Sequence, residues 1–261
     1  MKKFLFTTAA GMVLVSAAFA AEHAGPSGYL SPGAFDVLAV LPPAPKPRDA
    51  RAAADRAIFR ATRALRGTPR WDMATNDVKL SPADVMRDYS CAAGVSLTPE
   101  NAPKTVALVQ RAAFDTTRAT GITKNFYKRE RPFRYDAGAT CQPRSELTGS
   151  YDYPSGHTTL GWTWAMLLAK LAPDRATPVL ARGRAFGESR IVCGVHNASA
   201  VEAGRLSATA TLAALDQVPA FRDDFAAAQA EIGALRADPA KPRPDAAQCR
   251  AEAALVAQPI F

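Results

Sequence analysis

The stretch that decides the fold is PAFRDDFAAAQAEIGALRADP, which runs from residue 219 to residue 239. Its apolar residues recur every three or four positions, at Phe221, Phe225, Ala228, Ile232 and Leu235. This period matches one face of an α-helix, and proline is tolerated in the first turn of a helix but ends it further along. The stretch therefore predicts an amphipathic helix that begins near Pro219 and ends near Pro239.

A second helical pattern lies upstream, between Asp49 and Gly67. Aspartate is suited to the first turn of a helix, and glycine commonly follows the last. The apolar residues between them that fall on one face are Ala54, Ile58, Ala61 and Leu65. This face predicts a second amphipathic helix.

Two further helix starts are marked by a capping residue followed by proline, at Ser81-Pro82 and at Thr98-Pro99. Alternating strand patterns are nearly absent, and no segment repeats at a fixed period. The sequence therefore predicts an all-α, single-domain bundle of about eight to ten helices over residues 48–261.

The first twenty residues predict export. Lys2 and Lys3 precede an apolar run that ends in Ala18-Phe19-Ala20, the pattern of a secretory signal peptide over residues 1–20. No later stretch offers the twenty or so apolar residues of a membrane span, so we expect a periplasmic or secreted protein without membrane insertion after cleavage. Residues 21–47, rich in Gly, Pro and Ser, predict an extended N-terminal arm.

The charge and the cysteine content indicate the class of substrate and the redox state of the cysteines. The formal net charge of +8 is scattered and has no nucleic-acid recognition motif with it, which favours small anionic substrates. Four cysteines, none in a close-spaced pair, predict two disulfides in an exported chain. The three possible pairings stay open, although we favour Cys91 with Cys141 and Cys193 with Cys249.

Histidine is scarce, with three in the chain, and two of them close short polar motifs. His157 ends Pro154-Ser155-Gly156-His157, and His196 follows Ser189-Arg190 after five residues. Upstream, six residues separate Lys124 from Arg131-Pro132. Each pattern alone is weak, because a lone histidine is more often structural than catalytic.

Together these residues suit a phosphoryl group. Lys124, Arg131 and Arg190 supply cationic donors for a tetrahedral oxyanion. Ser155 and Gly156 add a hydroxyl and a backbone amide at a predicted helix start, where an anion is favoured. One histidine as nucleophile and another as acid suffice for phosphoryl transfer, so we expect neither a metal nor another cofactor.

The ordered motifs resemble the signature of the type 2 phosphatidic acid phosphatase superfamily, which includes the vanadium haloperoxidases. Within it, the chain resembles a bacterial class A non-specific acid phosphatase. The resemblance implies a helical fold in which His196 forms a phosphohistidine and His157 acts as general acid and base. It also implies that the phosphate of a small phosphomonoester is bound by Lys124, Arg131, Ser155, Gly156 and Arg190, and it raises the expectation of a homodimer.

One position departs from the family pattern, which has an aspartate four residues after the nucleophilic histidine. This chain has Ala200 there, so the carboxylate that orients the imidazole is missing and activity is expected to suffer. The residues considered as replacements, none of them favoured, are Asp136, Asp152, Glu188, Ser199 and Glu202. The alternatives are a phosphate-binding pseudoenzyme and, less in keeping with the short chain, a vanadium haloperoxidase.

Aromatic residues near the motifs are candidates for the pocket of the leaving group. Tyr151 and Tyr153 flank Asp152 in a predicted loop and are expected to face such a pocket, with Phe126 and Tyr127 as further candidates. Trp162 and Trp164 lie in a predicted buried helix, and core packing is the expectation for both.

Overall fold

A computed structural model describes residues 27–261. The predicted signal peptide and His23 lie outside the described residues, as does the beginning of the predicted arm.

The described chain is all-helical, which confirms the predicted fold class, and its ten α-helices fall within the predicted number. The first four are α1 (Val37–Val40), α2 (Ala50–Thr62), α3 (Pro69–Asn76) and α4 (Pro82–Ala93). The long central helices are α5 (Pro103–Tyr127), α6 (Gly156–Leu171), α7 (Ala176–Val192) and α8 (Ala198–Leu215). The last two are α9 (Pro219–Ala237) and α10 (Ala246–Ala257). None of the helices within residues 27–261 is both long and apolar enough to cross a membrane.

Helices α6 and α7 form the centre of the bundle and pack closely because glycines stand at their contact. A side chain at Gly161 would lie 2.3 Å from the ring of Phe186, and one at Gly183 would lie 2.4 Å from Ala165. Helices α5 and α8 pack against α6, and α9 packs on α5. This arrangement buries most of α6, including Trp164, and Trp162 packs partly buried against the same core, as expected for both tryptophans.

The stretch of residues 219–239 forms α9, as predicted. Phe221, Ala228, Ile232 and Leu235 are buried in the main core, and Phe225 packs partly buried against it. The apolar stripe therefore marks the face that the helix buries.

The predicted α2 also forms, but its buried face was predicted only in part. Ile58 and Leu65 pack partly buried against a core cluster, whereas Ala54 and Ala61 are exposed. The fully buried residues Asp55 and Phe59 lie on the adjacent side of the helix. Asp55 accepts hydrogen bonds from Arg129 and from the backbone of Ser199, so a charged residue faces the interior. The apolar pattern could not reveal a face that is buried through paired charges.

The two predicted helix starts had different outcomes. Ser81 caps α4, where its hydroxyl accepts a hydrogen bond from the Asp84 amide. The start predicted at Thr98 was wrong, because α5 begins at Pro103. Thr98 instead closes a turn with Asn101, in which each side chain accepts a hydrogen bond from the other's backbone N–H.

Two disulfides are present, and the favoured pairing was wrong. Cys91 pairs with Cys249 and ties α4 to α10, while Cys141 pairs with Cys193 at the end of α7. Spacing along the chain could not choose between the pairings, because each partner arrives from a distant helix or loop.

Candidate active site

The predicted site residues meet where three helices end or begin. Lys124 lies in the last turn of α5, Ser155 caps the start of α6, and Arg190 lies in the last turn of α7. Arg131 follows α5, and His196 lies in the short link between α7 and α8. That link turns at Gly194, where φ is +69° and a side chain would lie 2.4 Å from Arg63.

The imidazole of His196 is held on both sides and is almost fully buried. Its Nδ1 lies 2.9 Å from Oδ1 of Asp152, and its Nε2 lies 2.9 Å from a guanidinium nitrogen of Arg131. A carboxylate accepts and a guanidinium donates, so the hydrogen of the neutral ring is on Nδ1 and the lone pair is on Nε2. Nε2 is therefore the ring nitrogen whose lone pair is available for a nucleophilic attack.

Cations surround this imidazole. Burial lowers the pKa of His196 well below its usual value, and Arg131, Lys124 and Arg190 add to the effect. Burial and Arg131 likewise lower the pKa of Lys124 to about 7. Arg190, which is fully buried, has its pKa lowered by burial to about 9. The site thus favours the neutral form of His196 and concentrates positive charge that an anion can neutralise.

Arg190 keeps donors for a ligand. One of its terminal nitrogens donates to the Gln142 side chain, and the other lies 3.8 Å from Sγ of Cys193. Its Nε is buried without a hydrogen-bond partner. The disulfide between Cys141 and Cys193 holds Gln142 beside the guanidinium. An anion bound here would satisfy the orphan donor.

The second histidine, His157, is anchored through its Nε2. Nε2 of His157 lies 3.1 Å from the carbonyl oxygen of Val78, which can only accept, so Nε2 carries a hydrogen. In the neutral ring the lone pair is therefore on Nδ1. Burial, followed by Arg190, lowers the pKa of His157 well below its usual value.

Ser155 and Gly156 form the start of α6, as predicted. The Ser155 hydroxyl accepts hydrogen bonds from the amide and the hydroxyl of Thr158. Gly156 is the first residue of this sixteen-residue helix, and the helix dipole there favours a negative charge.

The carboxylate beside His196 belongs to Asp152, one of the five residues considered as replacements. Asp152 also accepts from the backbone N–H of Asn197 at 3.1 Å and from its side-chain amide at 2.8 Å. Arg129 lies 3.3 Å away and also binds Asp55. Burial raises the pKa of Asp152. The positive charge of Arg129 is the largest of the effects that oppose this rise.

The other four candidates are engaged elsewhere. Ser199 bonds Asp55 and Arg129, and Glu202 is exposed beside Arg205. Asp136 pairs with Arg56 and Arg60, and Glu188 pairs with Arg184.

A cavity of about 530 Å³ opens beside Arg131. Its lining includes Phe133, Arg134, Arg144 and Tyr151. Tyr151 thus faces a pocket, as expected. The same expectation was wrong for Tyr153, which is fully buried and donates from its hydroxyl to the Pro42 carbonyl. Two candidates contribute nothing to this lining, since Phe126 is 64% exposed and Tyr127 packs edge-on against the buried Tyr153.

Sequence reasoning missed the residues that support the site, namely Asp55, Val78, Arg129, Gln142 and Asn197. Asn197 directly follows the motif histidine and Gln142 follows Cys141, so adjacency was the one available signal. Within residues 27–261, no three His, Cys, Asp or Glu side chains are grouped so that they could hold a metal ion.

Comparison with known proteins agrees with this geometry. The model of the PAP2 superfamily matches residues 106–223, which include every motif residue of the site. An acid phosphatase of Zymomonas mobilis is 41% identical over 203 residues, covering 77% of each chain. A non-specific acid phosphatase of Providencia stuartii is 33% identical over 247 residues, covering 90% of this chain and 100% of the relative. One from Salmonella typhimurium is 34% identical over 195 residues, covering 74% and 78%.

The helical fold and the ordered motifs define a PAP2-type site. The chain belongs to the PAP2 superfamily, in its class A-like group of acid phosphatases.

Proposed function

We propose that the protein is an exported, metal-independent phosphomonoester hydrolase that acts through a phosphohistidine on His196. The observation that carries this proposal is the placement of His196, whose Nε2 is nucleophilic and faces Arg131 while Nδ1 is held by Asp152. The curated relatives are named acid phosphatases, which supports the reaction class. The signal pattern of residues 1–20 and the two disulfides support export.

The first half of the reaction transfers the phosphoryl group to the enzyme. Nε2 of His196 attacks phosphorus, an N–P bond forms, and the P–O bond to the alcohol breaks. His157 passes the proton on Nδ1 to the departing oxygen. The negative charge of the bound substrate offsets the nearby cations and raises the His157 pKa, so the imidazole can hold that proton.

The second half returns the enzyme to its starting state. His157, now neutral, takes a proton from a water molecule that attacks the phosphohistidine, and inorganic phosphate leaves. Lys124, Arg131 and Arg190 bind the phosphoryl oxygens in both halves, with the amide of Gly156 and the hydroxyl of Ser155 at the helix start. Preorganised donors of this kind stabilise the charge of the transition state.

The cavity beside Arg131 suits the leaving group of a small phosphomonoester. Phe133 and Tyr151 offer apolar surface, and Arg134 and Arg144 offer positive charge. Such a mixed lining accepts varied alcohols and supports a broad substrate range.

The contact between His196 and Asp152 favours hydrolysis over the phosphate-binding pseudoenzyme. That alternative rested on a missing orienting carboxylate, and a carboxylate lies at the imidazole. No observation favours halide oxidation by bound vanadate.

The direct test is hydrolysis of p-nitrophenyl phosphate by the mature protein in excess EDTA. We expect turnover in mild acid that the chelator leaves unchanged, because three cationic side chains supply the charge that a metal would otherwise provide. Activity that EDTA removes and a divalent metal restores would contradict the proposal. Turnover that matches a buffer blank would contradict it as well.

The titration of Lys124 should limit phosphate binding at higher pH. With its pKa at about 7, the amine of the free enzyme loses its charge as the pH rises through neutrality. The inhibition constant of inorganic phosphate should therefore rise from about pH 6 to about pH 8, since binding reports groups of the free enzyme.

The substitution Lys124→Arg keeps the charge throughout this range and should flatten that rise. The exposed Lys128, directly after α5, provides the matched control Lys128→Arg, which should follow the parent. Inorganic phosphate itself changes its protonation state over this range of pH. The result is therefore the difference between the variants' inhibition constants, not the change in any one of them. Parallel curves for the parent and Lys124→Arg would refute the assignment.

A further inference from the structure

The nucleophile of this chain lacks the acid that its relatives are expected to have on the same helix. Ala200, four residues after His196, is fully buried and packs with Tyr153 and Ala203. Its carbonyl accepts from the Ser155 amide and so joins α8 to the start of α6. An apolar side chain thus occupies the position from which a carboxylate would approach the imidazole.

A carboxylate reaches the same imidazole from another part of the chain. Asp152 lies in the loop before α6, 44 residues before His196, and its Oδ1 is 2.9 Å from Nδ1. Asp152 is fully buried, and no other acidic side chain of the described residues forms an ion pair with His196.

We propose that Asp152 is the positioning residue of the nucleophile and that it replaces, from the loop before α6, the carboxylate missing at position 200. It keeps the hydrogen of His196 on Nδ1 and the lone pair on Nε2. It also balances the positive charge that the ring acquires when Nε2 bonds to phosphorus. This inference rests on the proposed phosphohistidine chemistry.

The surroundings of Asp152 are built to hold a charged carboxylate in one orientation. Oδ1 accepts from His196 and from the Asn197 backbone, and Oδ2 accepts from the Asn197 side chain. The guanidinium of Arg129 lies 3.3 Å from Oδ2. Burial raises the pKa of Asp152, and these hydrogen bonds together with the charge of Arg129 counter that rise and favour the ionised form.

A second carboxylate, that of Asp55, holds Arg129 in place. Its other nitrogen donates to Asp55 of α2 at 2.8 Å, and Asp55 also accepts from the Ser199 amide at 2.8 Å. The row Asp55, Arg129 and Asp152 therefore alternates in charge and ends at His196. It spans α2, the loops after α5 and before α6, and the link between α7 and α8. This row also explains why α2 buries an aspartate.

An alanine at position 200 is compatible with a carboxylate supplied by Asp152. Its neighbour Tyr153 directly follows Asp152, so an acid at position 200 would place a second carboxylate next to the first. Two buried carboxylates that share one imidazole repel each other. We therefore expect Ala200→Asp alone to slow the enzyme rather than improve it.

The test exchanges the two side chains. In Asp152→Asn, an isosteric amide can place its hydrogens towards the imidazole and favour the wrong tautomer, so kcat should fall on the order of 10^3- to 10^4-fold, as in the serine-protease triad. The inhibition constant of phosphate should change little at a pH well below the pKa of Lys124, because all three cations remain in place. In Asp152→Ala with Ala200→Asp, the carboxylate returns from the helix, and kcat should recover well above that of Asp152→Ala alone.

Asp136→Asn is the matched control, because that aspartate pairs with Arg56 and Arg60 away from the site. A role confined to stability would lower the melting temperature and weaken phosphate binding together with kcat. Asp152→Asn with the parent's kcat, or a double variant no faster than Asp152→Ala, would overturn the inference. An inactive parent would instead refute the proposed function, so the two failures are distinguishable.

Discussion

Replacing His196 with alanine should abolish phosphomonoester hydrolysis and the covalent intermediate with it. Removal of a nucleophile that acts with its partners as a unit costs on the order of 10^4- to 10^6-fold in kcat. Arg131, Lys124 and Arg190 remain, so the variant should still bind phosphate. The measurement is a rapid quench with radiolabelled substrate. Label bound to the parent should survive base and be lost in acid, as expected of an N–P bond, and the variant should carry none.

The control addresses the buried carboxylate that His196→Ala leaves without its partner. His196→Asn keeps a donor where Nδ1 points at Asp152 but has no Nε2, so it should fold and remain inactive. Protection of both variants by phosphate against thermal unfolding would report an intact binding site. Labelled protein or turnover in His196→Asn would refute the assignment of the nucleophile.

The helical fold could be predicted from the sequence because its strongest signals are local. The stripe of α9 and the cap at Ser81 each depend on residues within a few turns. The burial of Asp55 in α2 could not be predicted, because it depends on Arg129 and Ser199, which are distant in the sequence. The prediction of the disulfide pairing failed for the same reason, since the pairing depends on how distant segments meet.

The same distinction between local signals and contacts of distant segments applies to the site. The motif residues were predicted because their spacing within each motif is local and their chemistry is complementary. Asp152 was one of five candidates, since only the folded chain shows that the loop before α6 passes the imidazole of His196. The anchoring of His157 on the Val78 carbonyl could not be predicted for the same reason, because the two residues are 79 positions apart in the sequence.

Replacing His157 with alanine should slow the enzyme to an extent that depends on the leaving group. With an alkyl phosphate, the departing alkoxide needs a proton, and loss of the general acid should lower kcat about 10^2- to 10^4-fold. With p-nitrophenyl phosphate, the stable phenolate leaves without a proton. The first step should then be nearly as fast as in the parent, while water attack on the phosphohistidine loses its base.

His157→Ala should therefore release a burst of p-nitrophenol and then turn over slowly, with phosphohistidine accumulating during the slow phase. Stopped-flow absorbance measures the burst, and the acid- and base-quench assay measures the intermediate. The ratio of the two substrates' rates within one preparation is the internal control, because a folding defect would lower both equally. An equal loss for the two leaving groups, without a burst, would mean that Nδ1 of His157 handles no proton, and the anchoring of Nε2 on Val78 would then be structural alone.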